Sequence, residues 1–425
     1  MPWGIRAPGG RVASRQQAVI VRQVFEDHSA FAELVPEWRD LLKRSQINEL
    51  ALTPAWVRTW WDLFKDKRGL RLVTFRRDGK LVGLAPLLRR RVRHGGLIPS
   101  WQIELCCTGE AQEEEICSPY VGILVERGFE TSVAESFVLG LFAGELGSWD
   151  ELLLTSLLQT DSLLTPLVQS LKQCGAATTL EPINSASYVR LPADWDSYLA
   201  SLPGQRRYFV RRTQRDLEAW LGKEGGERFA STRAELKQGR DILYDLHRQR
   251  WRAEGKDGVF DAPRFAKFHE AIMGAFIENG EAELELCWME RAGVPFAVLY
   301  NIIYNGRVYF YQSGRSLDVP KTVRPGIGIH LNAIKRHIGK GRAEYDFLEG
   351  AHFYKSQLAS EERTLVCIRA LSPALRSQGL HASRKLLTEA TRQAKAALGQ
   401  LKTRLGMQST QPAEQPPKPP QSSDE

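Results

Sequence analysis

Between residues 21 and 371 the apolar positions follow two periods, and together they lay out one order of elements twice. Alternation with period two predicts strands at 70–77 and 81–89, joined by Asp78-Gly79, a pair suited to a two-residue hairpin turn. The same signature returns at 283–290 and 294–304 around Ala292-Gly293, and Asn305-Gly306 leads into a further strand at 307–313. Helical spacing predicts helices at 30–43 and 54–65 ahead of the first hairpin, the latter carrying Trp56, Trp60 and Trp61. Helices at 233–253 and 262–278 stand in the same place ahead of the second. Each half then closes with a helix and a buried strand, 129–146 with 151–155 and 327–338 with 345–348, and a last strand is expected at 364–371. A period of about 200 residues means duplicated domains rather than a solenoid. The expected fold is mixed α/β.

The ends of the chain read differently. Residues 408–425 are Pro, Gln, Ser and charge without apolar periodicity, which predicts disorder. Leu380, Leu387, Ala394 and Leu401 fall at heptad spacing among seven Lys/Arg, which predicts a basic amphipathic helix over 374–406. The expected division is a disordered tail at 1–20, a first domain at 21–192, a second at 193–373, the basic helix at 374–406 and a disordered tail at 407–425. The net charge of +8 sits mostly in the termini, leaving residues 21–375 at about +1. A nearly neutral core argues against a nucleic-acid-binding face. No apolar run is long enough to span a bilayer, and the N-terminus has no signal-peptide pattern. The six cysteines are scattered, without CxxC or a nearby His pattern. Neither zinc nor a disulfide framework is supported, and a reduced cytoplasmic setting is expected.

Candidate chemistry gathers late in the chain. Gly326 and Gly328 open a helix whose first N–H groups could hold an anion. The first half has Glu126-Arg127-Gly128 at the equivalent place, so it reads as a substrate platform or scaffold. Asp346 lies on a mostly apolar strand, either as a base or orienting group in a cleft or as one partner of a structural ion pair with an Arg. Arg207, Arg211 and Arg215 are spaced along one helix face with Arg212 beside them, as a clamp for an anionic acceptor or as a solvated face paired with Asp216, Glu218 and Glu224. His247, near Arg250 and Trp251, is a candidate general base or a packed core residue, and His352 is a second candidate base. Glu113-Glu114-Glu115 reads as a solvated loop and Cys106-Cys107 as strand core.

With these residues laid out, the chain resembles the CelD-like acetyltransferases of bacterial cellulose and exopolysaccharide synthesis. These belong to the GNAT superfamily and are relatives of the FemAB peptidoglycan aminoacyltransferases. The resemblance is carried by Leu50 to Trp61, Gly83-Leu84-Ala85-Pro86-Leu87, Trp195-Asp196-Ser197-Tyr198-Leu199, Arg207 through Leu217, His247 to Trp251, Pro325-Gly326, Tyr345-Asp346-Phe347 and Tyr354-Lys355. It implies two tandem GNAT-like domains in a FemAB-like architecture, the second catalytic. It also implies acetyl-CoA or another acyl-CoA as co-substrate, held at Arg324, Gly326, Ile327 and Gly328, with no metal. Tyr354 would protonate the departing thiolate, Lys355 would lie at the transfer centre, and Arg250 would join the substrate-binding arginines. The expected reaction moves an acyl group to an amine or hydroxyl of a sugar, polysaccharide or cell-envelope precursor. Alternatives are an aminoacyl-tRNA-dependent transferase and a non-catalytic scaffold of a polysaccharide synthase. The expected place is the cytoplasm, with 376–406 as a docked or frayed terminal helix or as a contact for a synthase or the inner-membrane surface.

Overall fold

The computed structural model describes residues 19–94, 98–320, 322–350, 353–374, 377 and 379. The first half runs β1 (Val21–Phe25), α1 (Ala30–Arg44), α2 (Pro54–Phe64), β2 (Arg68–Arg77), β3 (Lys80–His94), β4 (Ile98–Leu105), β5 (Leu124–Val125), α3 (Glu130–Phe142), β6 (Glu151–Leu158), α4 (Leu164–Gln173) and β7 (Ala177–Arg190). Two helices, α5 (Trp195–Ser201) and α6 (Gly204–Leu221), lead to the second half. That half repeats the order: β8 (Gly225–Phe229), α7 (Arg233–Ala253), α8 (Pro263–Asn279), β9 (Glu283–Arg291), β10 (Val294–Tyr304), β11 (Arg307–Arg315), α9 (Pro325–Gly339), β12 (Glu344–Glu349), α10 (Phe353–Leu358) and β13 (Glu361–Leu371).

Local chemistry fixes these elements. The three hairpin turns take left-handed backbone at both central residues: Asp78/Gly79, Ala292/Gly293 and Asn305/Gly306 have φ of 50/80°, 49/75° and 48/75°. Thr53 caps α2 by accepting from Trp56 N, with Pro54 preset for the first turn. Thr232 and Glu235 close a reciprocal capping box on α7. Trp38, Trp56 and Trp60 are fully buried and fill the first half's core beneath the sheet.

Among the described residues thirteen strands form one sheet, ordered β1-β2-β3-β4-β6-β13-β7-β12-β11-β10-β9-β8, with β5 beside β3. The last strands of the halves sit at its middle. β13 lies between β6 and β7, and β7 continues against β12 over 186–190. Each half contains one parallel pair, β4 with β6 and β11 with β12. No helix among the described residues is long and apolar enough to cross a membrane.

Three expectations change. The helix expected at 129–146 stops at Phe142, where Gly144 and Gly147 turn the chain at φ 78° and 86°. Cys106 and Cys107 are buried, but at a turn just after β4, with Cys107 at φ 66°. Of the acidic triplet, Glu114 faces Arg264 at 3.4 Å and Glu115 borders the inner of the two cavities described below. Most of the expected 374–406 helix, the tails at 1–18 and 407–425, and His352 lie outside the described residues. Ser377 is described, and its hydroxyl reaches Asp150 Oδ1 at 2.6 Å.

Candidate active site

The site begins where β11 and β12 part. They pair in parallel only through Arg307↔Glu344, Val308↔Tyr345 and Tyr309↔Asp346. Beyond Tyr309, β11 has no β12 partner, so its backbone groups on that edge face an opening. A register shift opposite Tyr300/Asn301 adds to the bend of β11. The equivalent opening between β4 and β6 lies beside residues 106–123, a loop that reaches across to the second half. Its Ile116 carbonyl accepts from the Tyr311 hydroxyl, and its Tyr120 hydroxyl donates to Asp346.

Two adjoining cavities fill the opening. The larger, about 460 Å³, lies between the end of β11, the residues Leu317, Val319, Pro320 and Val323, and the start of α9. Arg250, Arg315, Arg324, Gly326, Ile327, His330 and Tyr354 line it, with no carboxylate among its lining side chains. The inner cavity, about 180 Å³, is bounded by His247, Trp251, Tyr311, Glu349, Lys355 and, from the first half, Glu115, Cys117 and Tyr120. Arg250, Ser313 and Tyr354 border both. Tyr354 thus stands where the two meet.

The electrostatics differ between them. In the larger cavity, burial and the nearby Arg250 push the Arg315 guanidinium down, against the upward pull of Glu254. Arg250 Nε faces Glu254 at 3.6 Å, beyond hydrogen-bond distance, and this buried nitrogen has no hydrogen-bond partner among the described residues. Arg324 lies 3.8 Å from Asp216. Burial pushes the Tyr354 phenol up, so it keeps its proton at neutral pH. In the inner cavity Lys355 is nearly buried and donates to the carbonyls of Leu348 (3.2 Å) and Glu349 (2.7 Å). Burial brings its ammonium down to about 8, against the upward pull of Asp346, Cys117 and Glu349.

Residues 204–356 match the family model of an acetyltransferase (GNAT) domain. The match supports an acyltransferase of the GNAT class, and it contains α9, β12, Tyr354 and Lys355. Among solved structures the chain is similar to FemX, at 14% identity and a TM-score of 0.52, covering 77% of this chain and 95% of FemX. It is also similar to a conserved protein of unknown function from Bacteroides thetaiotaomicron, at 9% identity and a TM-score of 0.50, covering 83% of this chain and all of that one. No significant match was found among curated proteins. The fold is that of two tandem GNAT-like domains in a FemAB-like arrangement.

Within the GNAT domain the residues expected from sequence separate into groups. Arg250, Arg324, Gly326, Ile327, Tyr354, His247 and Lys355 come together at the cavities. Gly328 lines neither: a Cβ there would fall 2.4 Å from Leu217, so this glycine lets α6 pack on α9. The α9 start offers fewer free amides than expected. Pro325 has none, and Ile327 N and Gly328 N both bond to the Arg324 carbonyl. Arg207 turns back to the carbonyls of Ala200 and Leu202, and Arg212 faces Asp216 at 3.5 Å. Arg211 and Arg215 are exposed, without an ion pair among the described residues. None of these four reaches a cavity. His247 is buried, and its Nε2 accepts from Trp251 Nε1 at 2.8 Å. That bond puts the neutral ring's proton on Nδ1 and leaves no lone pair for a base. Burial and then Arg250 lower its imidazole to about 4. Asp346 is fully buried and lines neither cavity.

Sequence reasoning missed Ser313, Arg315, His330 and the first-half loop. Gly314, also missed, carried a signal as a glycine inside a strand pattern. A Cβ there would lie 2.8 Å from His247 N, so α7 rests directly on β11. Nothing in the local pattern marks residues 115–120 as walls of a site in the other half.

Proposed function

We propose that this protein is an acyltransferase of the CelD-like kind. It would take an acetyl or longer acyl group from acyl-CoA in the larger cavity and deliver it to an amine or hydroxyl in the inner one. The supporting observation is the junction: an arginine-lined, carboxylate-free cavity meets a second cavity at Tyr354. Arg250, Arg315 and Arg324 suit the phosphates of CoA. N–H groups on the edge of β11 beyond Tyr309, where pairing with β12 ends, would polarise the thioester carbonyl. The acceptor's nitrogen or oxygen attacks that carbon, the carbon–sulfur bond breaks, and Tyr354 gives its proton to the thiolate and takes back the one released by the acylated acceptor. Lys355, with two N–H groups given to carbonyls, has a third for the charge on the tetrahedral oxygen. The first half serves as platform through residues 115–120, and a sugar or cell-envelope precursor is the acceptor class we favour.

A second reading, transfer from an aminoacyl-tRNA, draws on one observation. Tyr208, Arg211, Arg212 and Arg215 form an exposed aromatic and basic stripe on α6, the helix whose Asp216 faces Arg324. The deciding experiment is thermal unfolding with and without acetyl-CoA and longer acyl-CoAs. A ligand at 100 times its Kd adds about 2.7 kcal/mol, and Gly326→Val, crowding Arg315, should remove the shift. No shift with any acyl-CoA at millimolar concentration overturns the reading.

A further inference from the structure

We propose that Asp346 is a positioning residue: anchored from the first half by Tyr120, its carboxylate holds the left-handed turn at Leu348 whose carbonyls seat Lys355 at the inner cavity. The inference rests on reading that cavity as the acceptor end of the site.

The geometry forms a chain of contacts. Asp346 Oδ1 accepts from Leu348 N at 2.8 Å, and Oδ2 accepts from the Tyr120 hydroxyl at 2.7 Å. Arg363 Nη2 lies 3.7 Å from the same Oδ2. Both oxygens act as acceptors and a guanidinium stands close, which fits the ionised form despite full burial. The turn needs such a hold. Leu348 has φ of 58°, a conformation that costs a non-glycine residue of order 1 kcal/mol or more. The pairing of β12 with β7 breaks at the same place, with Asp346 opposite Tyr188 and Glu349 opposite Ala186. The bulge therefore takes Phe347 and Leu348 out of the ladder, and the Asp346 carboxylate replaces a ladder bond for Leu348 N. That rotation brings the carbonyls of Leu348 and Glu349 to one point, where Lys355 Nζ meets both. An extended Leu348 would point successive carbonyls to opposite sides.

The charged and titratable groups facing Lys355 are Asp346 and Glu349 on β12, Cys117 from the first-half loop and His330 on α9, and Glu115, Tyr120, His247, Arg250 and Tyr354 line the same inner cavity. Asp346 therefore acts on Lys355 in two ways, through the turn and as a buried negative charge. Substitutions separate them. In Asp346→Asn an amide oxygen can still accept from Leu348 N, so the turn is kept and the charge is lost. Asp346→Ala loses both.

The test is trace labelling of lysines with acetic anhydride across pH, read by peptide mass spectrometry, beside the pH profile of turnover. Labelling needs no acyl-CoA, so it reads this proposal even if the acyl-CoA reading falls. In wild type, Lys355 should label with a midpoint near pH 8, as its burial implies, and turnover should fall through the same range as the ammonium loses its proton. Asp346→Asn should move both midpoints to lower pH, lower kcat about tenfold and leave the KM for donor unchanged. Tyr120→Phe, which keeps the charge and frees one carboxylate oxygen, should raise Lys355 labelling several-fold at fixed pH. If Asp346→Ala does not fold, these two variants decide. Lys355 labelling unmoved in both overturns the proposal and returns Asp346 to an ordinary ion pair.

Discussion

The ring of His330 lies stacked on that of Tyr354, with centroids 5.5 Å apart and planes 19° apart. His330 Nδ1 is itself tied to the Tyr345 hydroxyl at 2.9 Å, so α9 and β12 hold the plane on which Tyr354 rests. A phenol that must deliver a proton at one point gains from such a fixed support. Tyr354→Phe should lower kcat by about 10² or more while changing acyl-CoA affinity little, as for a group acting only on leaving-group charge. His330→Ala keeps the hydroxyl and loosens the ring, and a smaller loss, within about tenfold, is expected. Steady-state and single-turnover kinetics would check both; near-wild-type turnover in Tyr354→Phe removes this residue from the chemistry.

Donor affinity should depend on the cavity arginines and not on the α6 stripe. Arg250→Ala and Arg315→Ala should each raise the Kd for acyl-CoA about tenfold or more, the scale of a lost charge-assisted hydrogen bond. Arg211→Ala, exposed and outside the cavities, should leave it within about twofold. Calorimetric titration decides, and the reverse ranking would favour a ligand lying along α6.

Gly314 offers a stability test separate from catalysis. Adding one methyl there sets it 2.7 Å from Leu246 Cβ and 2.8 Å from His247 N, and helix backbone cannot swing aside as a long side chain can. Gly314→Ala should cost about 1–3 kcal/mol by urea unfolding. An unchanged midpoint would mean that α7 stands further from β11.

Acid should weaken the fold through its buried histidines. Burial lowers His269 to about 3, and burial with Lys355 nearby lowers His330 to about 3; His247 falls to about 4. In each the folded value lies below the ordinary 6.5, so the unfolded chain binds more protons once pH drops below that value. Stability is therefore kept above about pH 6.5 and lost as pH falls towards 4, each histidine contributing a slope of about 1.4 kcal/mol per pH unit. Urea unfolding between pH 7 and 5 should show the loss, and His269→Gln should reduce the slope by one proton's worth. Equal slopes in wild type and variant would contradict the buried neutral state.

Much of this was legible from the chain because local rules dominate there. The hairpins at Asp78-Gly79 and Asn305-Gly306 and the helix at 233–253 followed from turn chemistry and periodicity, whereas the joining of Tyr354 and Lys355 with Gly326 was implied by the family resemblance. β7 did not. Its residues 177–185 are exposed or half-buried along their length and include Pro182, so no alternation marks a strand. Arg207 and Arg211 share a helix face as spacing requires, but spacing cannot show that Arg207 turns back towards α5. Gly328 looked like half of an anion cradle because a glycine needed for helix packing leaves the same letter in the sequence. Tyr120 and Glu115 enter the site only through a contact spanning more than two hundred residues, which no local pattern encodes.

The placing of β13 between β6 and β7 carries a consequence for synthesis. A growing chain makes β6 and β7 early, yet the strand that joins them, Glu361–Leu371, comes nearly two hundred residues later. Until then the edges of β6 and β7 offer unpaired N–H and C=O groups to any neighbouring strand. A ribosome stalled within the second half would thus hold a first half with an open seam. Such a nascent chain would be a natural client for chaperones that shield strand edges.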